Sequence, residues 1–501
     1  MEGAGLLRAF RYNHSPRKCW VSLGLGLSLS CSWAPLKWTP DDLFAVGWRR
    51  CKDRKVSFNL LTAGYSKVCI SPPIGAPLAG FAARQGVSQG IHDDLFARAL
   101  VLANGEAAMA LVSVDLLALS GDFIKCVREG IQRATGLSPQ SVMIASTHTH
   151  AGPVTITTFF NPDESVERSY MDSLAQSIEQ AVAAAWESRF PARVGVGMGR
   201  VAGVGVNRRS PDQLPVDEEV GIIKIDDAAG VTRAVLVNYS CHPTVLGPNN
   251  LLITGDFPNF SIEEIERNIG TDGFAMFVNG TQGNISMGHS SELSAIGVIT
   301  PGRTFERAAE LGHLLADATL AELPSVATDD CRELATLSIP VELPMKRFPS
   351  IEEASENLRR AEDQLSRLSA EDPTPEQLMT AKTERLYASI TNFYTREAQA
   401  LHNGNVSIEL QGVRIGDAAF VAVPAEVFVE IGLQVKSRVP HKVFIVGIAN
   451  GYIGYLPTPE AFSVGGYEVV SSKCRPEAAD VLIEKVVGLT QELFRDRRQP
   501  D

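Results

Sequence analysis

Residues Ser141–Pro153, Ser-Val-Met-Ile-Ala-Ser-Thr-His-Thr-His-Ala-Gly-Pro, carry the most informative pattern of this 501-residue chain. The apolar, β-branched beginning of the stretch predicts a buried strand, and the terminal Gly-Pro pair ends regular structure. Because residues i and i+2 of an extended backbone point to the same side, His148 and His150 are expected to face one cavity at the carboxyl end of that strand. Two histidines on one face indicate a metal site, although a structural histidine pair has the same spacing.

Length and composition restrict the class of protein. The chain is 45% hydrophobic and 21% charged, which is ordinary for a globular protein with a large core. Its formal net charge of −12 argues against nucleic acid as a partner and against attachment to an anionic membrane through basic patches. The eight cysteines include no C-x-x-C pair, which excludes a zinc ribbon or a thioredoxin-like motif and leaves the redox compartment open.

Residues 1–60 have an ambiguous pattern and are predicted to be an N-terminal extension. Four basic residues precede the modestly apolar segment Cys19–Ser30, an order typical of a secretory signal. Glycine and serine dilute that segment, so an unstructured extension is the alternative. The protein is expected to be secreted or periplasmic if residues 1–34 are a signal peptide, and cytoplasmic otherwise. The segment is too short and too polar to span a membrane.

Strand and helix patterns alternate from residue 61 onward and predict an α/β fold, with mixed β-sheets covered by helices in one large domain over residues 61–498. Apolar residues at helical spacing predict helices over residues 121–135 and 165–188. Residues 349–403 change to a long, charged, amphipathic pattern. They are predicted to form a helical hairpin inserted in the main domain, with its charges on solvated faces.

Polar residues follow four more predicted strands. His242 follows one, Ser286 lies in a glycine-rich loop after the next, Glu426 directly follows a third, and Tyr455 lies in a glycine turn after the fourth. Each has a structural interpretation on its own; the glutamate, for example, could be a charge at the start of a helix. Ligand sites of α/β sheets gather at the carboxyl ends of strands. A His, His, Glu set with one open position is typical of catalytic zinc.

An ordered series of motifs extends this pattern, and it resembles the catalytic domain of the neutral/alkaline (non-lysosomal) ceramidase family over roughly residues 63–492. The motifs are Gly90–Ala99, Thr147–Pro153, Asn207–Pro211, Ser240–Thr244, Gly255–Pro258, Gly283–Ser286, Tyr452–Tyr455 and Tyr467-Glu468. The resemblance implies a zinc-dependent amidohydrolase that cleaves the N-acyl bond of ceramide or a related N-acyl amine to a fatty acid and a sphingosine-like amine.

The resemblance also assigns roles to individual residues. It implies one zinc ion held by His148, His242, Glu426 and Tyr455. It places His150, Tyr467 and Arg208, or alternatively Arg209, beside the substrate, and it matches Ser286 to the serine described as the nucleophile. Asp256 is expected to orient His242 rather than to bind metal, because metal-ligating histidines usually donate their second N–H to such a partner.

The chain departs from the family pattern at the serine loop. Asn284 stands where the family has an aspartate, and Met287-Gly288 stand where it has Pro-Asn. The family's immunoglobulin-like C-terminal domain has no counterpart in this sequence, which puts ceramide itself in doubt. One alternative is a zinc hydrolase of the same fold acting on a non-sphingolipid amide or ester, and another is a non-catalytic binding homologue. An ordinary serine hydrolase is disfavoured because no nucleophile elbow is present. Whether Ser286 attacks covalently or only orients the substrate stays open.

Overall fold

The computed structural model describes residues 60–105, 107–160, 167–210, 212–330, 333–399 and 404–495. The predicted signal or extension lies outside the described residues, apart from Leu60. Strands and helices alternate along the described chain, as the α/β class predicts. Among the described helices, none has the length and hydropathy that crossing a bilayer requires.

The larger of the two main sheets has eight strands, which are β1 (Thr62–Cys69), β3 (Phe96–Ala103), β4 (Ala108–Val114), β5 (Val142–Ser146), β6 (Phe190–Arg200), β8 (Glu219–Asp227), β9 (Thr232–Tyr239) and β11 (Phe274–Asn279). Their spatial order is β11-β9-β8-β6-β1-β3-β4-β5. The pairs β4/β5 and β9/β11 are parallel, whereas pairs such as β3/β4 and β8/β9 are antiparallel. The sheet is therefore mixed, with β5 at one edge.

The smaller main sheet contains β13 (Leu334–Pro344), β14 (Asn405–Ile415), β15 (Ala418–Val423) and β17 (Lys442–Gly447), in that spatial order. The pair β15/β17 is parallel, so both strands end at the same side of the sheet. Three short pairs join loops: β2 (Gly90–Ile91) with β10 (Leu252–Ile253), β7 (Val206–Asn207) with β12 (Ile285–Ser286), and β16 (Glu426–Val427) with β18 (Tyr455–Leu456).

The helices are α1 (Gly121–Thr135), α2 (Arg168–Glu187), α3 (Phe257–Ile269), α4 (Ser291–Ala295), α5 (Phe305–Glu322), α6 (Ile351–Ala370), α7 (Pro375–Gln399), α8 (Val429–Arg438), α9 (Pro459–Val464), α10 (Tyr467–Val470) and α11 (Ala478–Phe494). Helices α6 and α7 are the expected hairpin. They are inserted between β13 and β14, which pair antiparallel along their whole lengths. The insertion therefore leaves the smaller sheet continuous.

The two sheets pack face to face, and helices cover their outer faces. Along β3, Leu100 and Leu102 point into the core between the sheets, where Phe420 of β15 also lies. Val101 points the other way, into a cluster with residues of α1 and α2. Helices α3 and α5 cover another part of the larger sheet, and α8 and α11 cover the smaller one. Burial on both faces explains why the strands appear as nearly continuous apolar runs in the sequence.

The turn after β17 closes the edge of the larger sheet at β5. The amide of Ile144 donates to Oδ1 of Asn450 at 3.0 Å, and its carbonyl accepts from the amide of Asn450 at 2.8 Å. Ser146 donates its amide to the carbonyl of Ile448 at 3.1 Å. Ile448 and Asn450 have φ of 51° and 63°, a left-handed conformation that costs an L-residue with a branched side chain about 1–2 kcal/mol. This turn brings together the carboxyl ends of β5 in the larger sheet and of β15 and β17 in the smaller sheet.

Replacing Asn450 by alanine should weaken this connection. The Asn450 amide also donates to Oε1 of Gln411 at 2.7 Å, so the change removes the partner of the buried Ile144 amide and leaves Gln411 Oε1 with Arg128 as its donor. We expect the free energy of unfolding in urea to fall by about 2–4 kcal/mol. The control is Asn268→Ala at the exposed end of α3, which should change it by less than about 0.5 kcal/mol. Equal effects of the two substitutions would contradict the role given to Asn450.

Candidate metal centre and active site

His148, the first histidine of the T-H-T-H motif, lies just beyond β5 in a left-handed conformation. The strand ends at Ser146 and His148 has φ of 71°. His148 and His150 face one site as predicted, but not through an extended backbone, because the chain has already left the strand. The ring Nδ1 of His148 lies 2.7 Å from the carbonyl oxygen of Leu117. A carbonyl only accepts, so Nδ1 carries the proton and Nε2 presents a lone pair.

His242 follows β9 and is held in a similar way. Its Nδ1 lies 2.7 Å from the carbonyl oxygen of Gln282 and 3.0 Å from that of Ile285. Its Nε2 lies 2.9 Å from Oε2 of Glu426. Burial, with a contribution from the charge of Arg208, lowers the pKa of His242 to about 4. The ring is therefore neutral near pH 7 and directs a lone pair at the carboxylate.

His150 completes a group of three histidines. Among the described residues, neither ring nitrogen of His150 has a hydrogen-bond partner, although both nitrogens are buried. Its ring centroid lies 4.9 Å from that of His148 and 6.0 Å from that of His242. Burial, reinforced by the two neighbouring histidines, lowers the pKa of His150 well below its usual value. A Cβ at Gly80 would lie 2.5 Å from the ring, so this glycine is needed for the close approach.

Glu426 is a buried carboxylate directed at the histidines. It lies in β16, opposite Tyr455 of β18, whereas helix α8 begins only at Val429. The interpretation as a charge at the start of a helix therefore does not apply to it. Its Oε2 lies 3.5 Å from Nε2 of His148, in addition to the contact with His242. Burial alone raises the pKa of Glu426, but the two histidines outweigh it and hold that pKa well below its usual value.

Tyr455 and Arg208 lie together at the same centre. Nη2 of Arg208 donates to the hydroxyl of Tyr455 at 3.1 Å and to the carbonyl of Gly283 at 2.9 Å. Arg209 instead donates Nη2 to the carbonyl of Gly465 at 2.7 Å. Of the two arginines that the sequence left open, Arg208 is therefore the one that contacts the proposed ligand Tyr455.

Glu468 joins the two arginines, and no role was predicted for it. Its Oε1 accepts from Nε of Arg208 and its Oε2 from Nη1 of Arg209, each at 2.8 Å. Its neighbour Tyr467 has its ring centroid 5.9 Å from that of Tyr455. The signal for Glu468 was present in the sequence, because a buried pair of arginines beside a metal site requires a carboxylate to compensate its charge.

Ser286 is fully buried in β12 at the serine loop. Its hydroxyl donates to the carbonyl of His289 at 3.0 Å. Asn284 donates Nδ2 to both carboxylate oxygens of Glu430 at 3.1 and 2.8 Å, and its Oδ1 accepts from the amide of Val429 at 2.9 Å. An aspartate at this position would face the carboxylate of Glu430. Asn284, which departs from the family pattern, thus has hydrogen-bond partners for both its amide nitrogen and its amide oxygen.

Asp256 does not hold the ring of His242, so the expected orienting contact is absent. Its carboxylate accepts from the backbone amides of Phe257, Val245 and Leu246. Nδ1 of His242 is hydrogen-bonded to backbone carbonyl oxygens instead. Asp256 is the N-cap of α3, and burial raises its pKa to about 6. It fixes the loop that follows His242 rather than the imidazole itself.

The donor set fits a bound cation. Nε2 of His148 and Nε2 of His242 both present lone pairs to an ionised carboxylate, an arrangement that a cation among these atoms stabilises. One ligating nitrogen from each of His148, His150 and His242 lies within 4.8 Å of the others. Histidine nitrogen and carboxylate oxygen are ligands that zinc uses in proteins. The side chains present are therefore suited to zinc.

Comparison with known proteins identifies similar chains. A family profile described as neutral/alkaline non-lysosomal ceramidase, N-terminal, matches residues 63–288. The neutral ceramidase of Mycobacterium tuberculosis is 24% identical over 84% of this chain and 75% of that protein. Neutral ceramidase 2 of Arabidopsis thaliana is 27% identical over 37% of this chain, and the matched part spans only 27% of that relative's length.

Solved structures show the same relationship at the level of the fold. The crystal structure of neutral ceramidase from Pseudomonas aeruginosa superposes with a TM-score of 0.67 over 88% of this chain and 76% of that chain. The two sequences are 18% identical over the superposed part. The predicted fold class is therefore confirmed.

Proposed function

We propose that the chain is a member of the neutral/alkaline non-lysosomal ceramidase family and acts as a zinc-dependent amidohydrolase on ceramide or a related N-acyl amine. The reaction breaks the amide C–N bond, adds the oxygen of water to the acyl carbon and delivers a proton to the leaving amine. The observation that carries the proposal is the convergence of His148, His242 and Glu426 in one buried cluster.

We propose that His148, His242, Glu426 and Tyr455 hold the zinc. The two histidines are fixed through Nδ1 by backbone carbonyls, which leaves Nε2 of each for the metal. The Glu426 carboxylate is ionised and directs Oε2 toward both rings. When bound, zinc supplies a Lewis acid for the scissile carbonyl and lowers the pKa of water.

The remaining residues act on the substrate and its charge. His150, neutral and without a partner at either ring nitrogen, donates a hydrogen bond to the oxyanion that develops on the acyl carbon. Tyr467 donates a second one; burial and the charge of Glu426 raise its pKa above the usual value, so its hydroxyl keeps its proton. Arg208 holds the hydroxyl of Tyr455 in place, and Glu468 compensates the charge of that arginine.

A zinc hydrolase of the same fold that acts on a non-sphingolipid amide or ester is the second candidate. It is favoured by the serine loop, in which Asn284 replaces the family's aspartate and contacts Glu430. The two candidates share the metal centre and differ in the acyl and amine groups that they accept. A substrate series therefore separates them.

Fatty-acid release should be measured on ceramides of several chain lengths, short soluble N-acyl amines and short esters in parallel. We expect ceramide turnover that a chelator reduces to the background rate and that added zinc restores, because the metal polarises the carbonyl. Turnover of only the short amides or esters would support the second candidate. A zinc-loaded protein inactive on the whole series would contradict both and indicate a binding homologue.

Alanine substitutions should separate metal ligands from substrate-side groups. His242→Ala should weaken zinc binding by more than the roughly 10–100-fold that loss of an outer hydrogen bond costs. His150→Ala should retain zinc and lower kcat by about 100- to 1000-fold, as expected for loss of one oxyanion donor. The control is His441→Ala, because His441 stacks on Phe494 in the C-terminal helix. This substitution should change neither zinc binding nor kcat. Equal zinc loss in His150→Ala and His242→Ala would make His150 a ligand.

Ser286→Ala tests the role of the serine hydroxyl. Because that hydroxyl donates to a carbonyl of its own loop, we predict an orienting role and a fall in kcat of about 10- to 1000-fold, with zinc content unchanged. Hydroxylamine should trap no acyl-enzyme in the unmodified protein. An acyl hydroxamate could instead form in the same ratio to free fatty acid whatever the leaving amine. If Ser286→Ala abolished it, Ser286 would be established as a covalent nucleophile.

A further inference from the structure

Tyr452 precedes Tyr455 by three residues and contacts the other side of the metal centre. Its hydroxyl lies 2.6 Å from Oε1 of Glu426. An ionised carboxylate can only accept, so the phenol is the donor. The hydroxyl of Tyr455, by contrast, accepts from Arg208. The two tyrosines of the Tyr452–Tyr455 motif therefore contact different groups.

The two oxygen atoms of Glu426 have separate surroundings. Oε2 faces Nε2 of His242 at 2.9 Å and Nε2 of His148 at 3.5 Å. Oε1 accepts from the Tyr452 hydroxyl, which is its only hydrogen-bond donor within the described part of the chain. Because Glu426 is only 2% exposed, bulk water does not replace that donor readily. Without the Tyr452 hydroxyl, the carboxylate would lose the contact that sets its rotation.

The backbone ties the segment of Tyr452 to the segment of Glu426 on both sides. Ile453 donates its amide to the carbonyl of Pro424 at 2.8 Å, and Glu426 donates its amide to the carbonyl of Gly454 at 3.0 Å. The left-handed turn at Asn450, paired with β5, fixes the start of the same segment. The Tyr452 hydroxyl is thus preorganised against Oε1 rather than free to swing away.

We propose that Tyr452 is a positioning residue for Glu426: it holds Oε1 and thereby keeps Oε2 directed at the zinc site. The inference rests on the proposed function, since it takes zinc as the metal. Outer-shell hydrogen bonds to metal ligands typically contribute 10- to 100-fold in metal affinity. Tyr452 itself touches neither substrate nor metal in this role.

Tyr452→Phe removes only the hydroxyl, and the zinc Kd can be measured by competition with a chromophoric chelator. We expect the Kd to rise about 10- to 100-fold. The matched control is Tyr170→Phe: the Tyr170 hydroxyl, on α2, also makes one hydrogen bond, at 2.7 Å to the carbonyl of Ile70. Its zinc Kd should stay within about twofold of the unmodified protein, because α2 carries none of the proposed ligands.

Two further readouts separate positioning from a structural role. In the cobalt-substituted protein, Tyr452→Phe should shift the visible ligand-field bands, whereas Tyr170→Phe should not. The thermal midpoint of the metal-free protein should fall to a similar degree in both variants, since each loses one partly buried hydrogen bond. An unchanged zinc Kd with unchanged cobalt bands in Tyr452→Phe would overturn the inference. Absence of zinc binding by the unmodified protein would overturn the proposed function and this inference together.

Discussion

Ile144 in the edge strand β5 exchanges two hydrogen bonds with Asn450, and this contact joins the end of β5 in the larger sheet to the turn after β17 in the smaller sheet. The larger sheet supplies His148 after β5 and His242 after β9, while the smaller sheet supplies Glu426 after β15. The turn at residues 448–450 closes the gap between the sheets and places Glu426 against the two histidines. The unfavourable φ of Ile448 is the conformational cost of that closure.

A buried carboxylate beside three histidines defines the chemistry of the site. Isolated, such a charge would be strongly destabilised in the interior. Nδ1 of His148 and Nδ1 of His242 each lie against a backbone carbonyl, so the rings cannot compensate the charge through those nitrogens. Arg208 and Glu468 form a second charged pair beside the carboxylate, and the proposed zinc ion would compensate the charge of Glu426. The arrangement supports metal-assisted hydrolysis better than serine chemistry, because the Ser286 hydroxyl points at a backbone carbonyl.

Local signals predicted much of the fold. Helix α1 has the expected bounds, because the Ser120 side chain accepts from the Phe123 amide at its start and Gly136 ends it in a left-handed conformation. Helices α6 and α7 lie within residues 349–403, where the sequence predicts a helical hairpin. Helix α3 was missed, since Asp256 at its start was interpreted as a partner of His242 and not as a helix N-cap. That N-cap was visible in the sequence as an aspartate followed by proline in the first turn.

The site was predicted in its residue types but not in its contacts. Polar residues at strand ends identified the cluster, and β15 and β17, which precede Glu426 and Tyr455, are neighbouring parallel strands whose carboxyl ends meet. The strands β5 and β9, which precede His148 and His242, are not neighbours in the larger sheet, so that rule does not account for the meeting of the two histidines. The choice between Arg208 and Arg209 and the partners of Asp256 depend on side-chain direction in irregular loops. Local sequence patterns do not encode that direction.

The positions of the proposed ligands also constrain when the centre can form during synthesis. His148 and Tyr455 are 307 residues apart (455 − 148), and the turn that joins their sheets lies only just before Tyr455. A ribosome-bound chain therefore exposes single histidines long before it can complete the centre. The proposed metal centre is therefore completed only late in biogenesis, after the residues of both sheets have been synthesised.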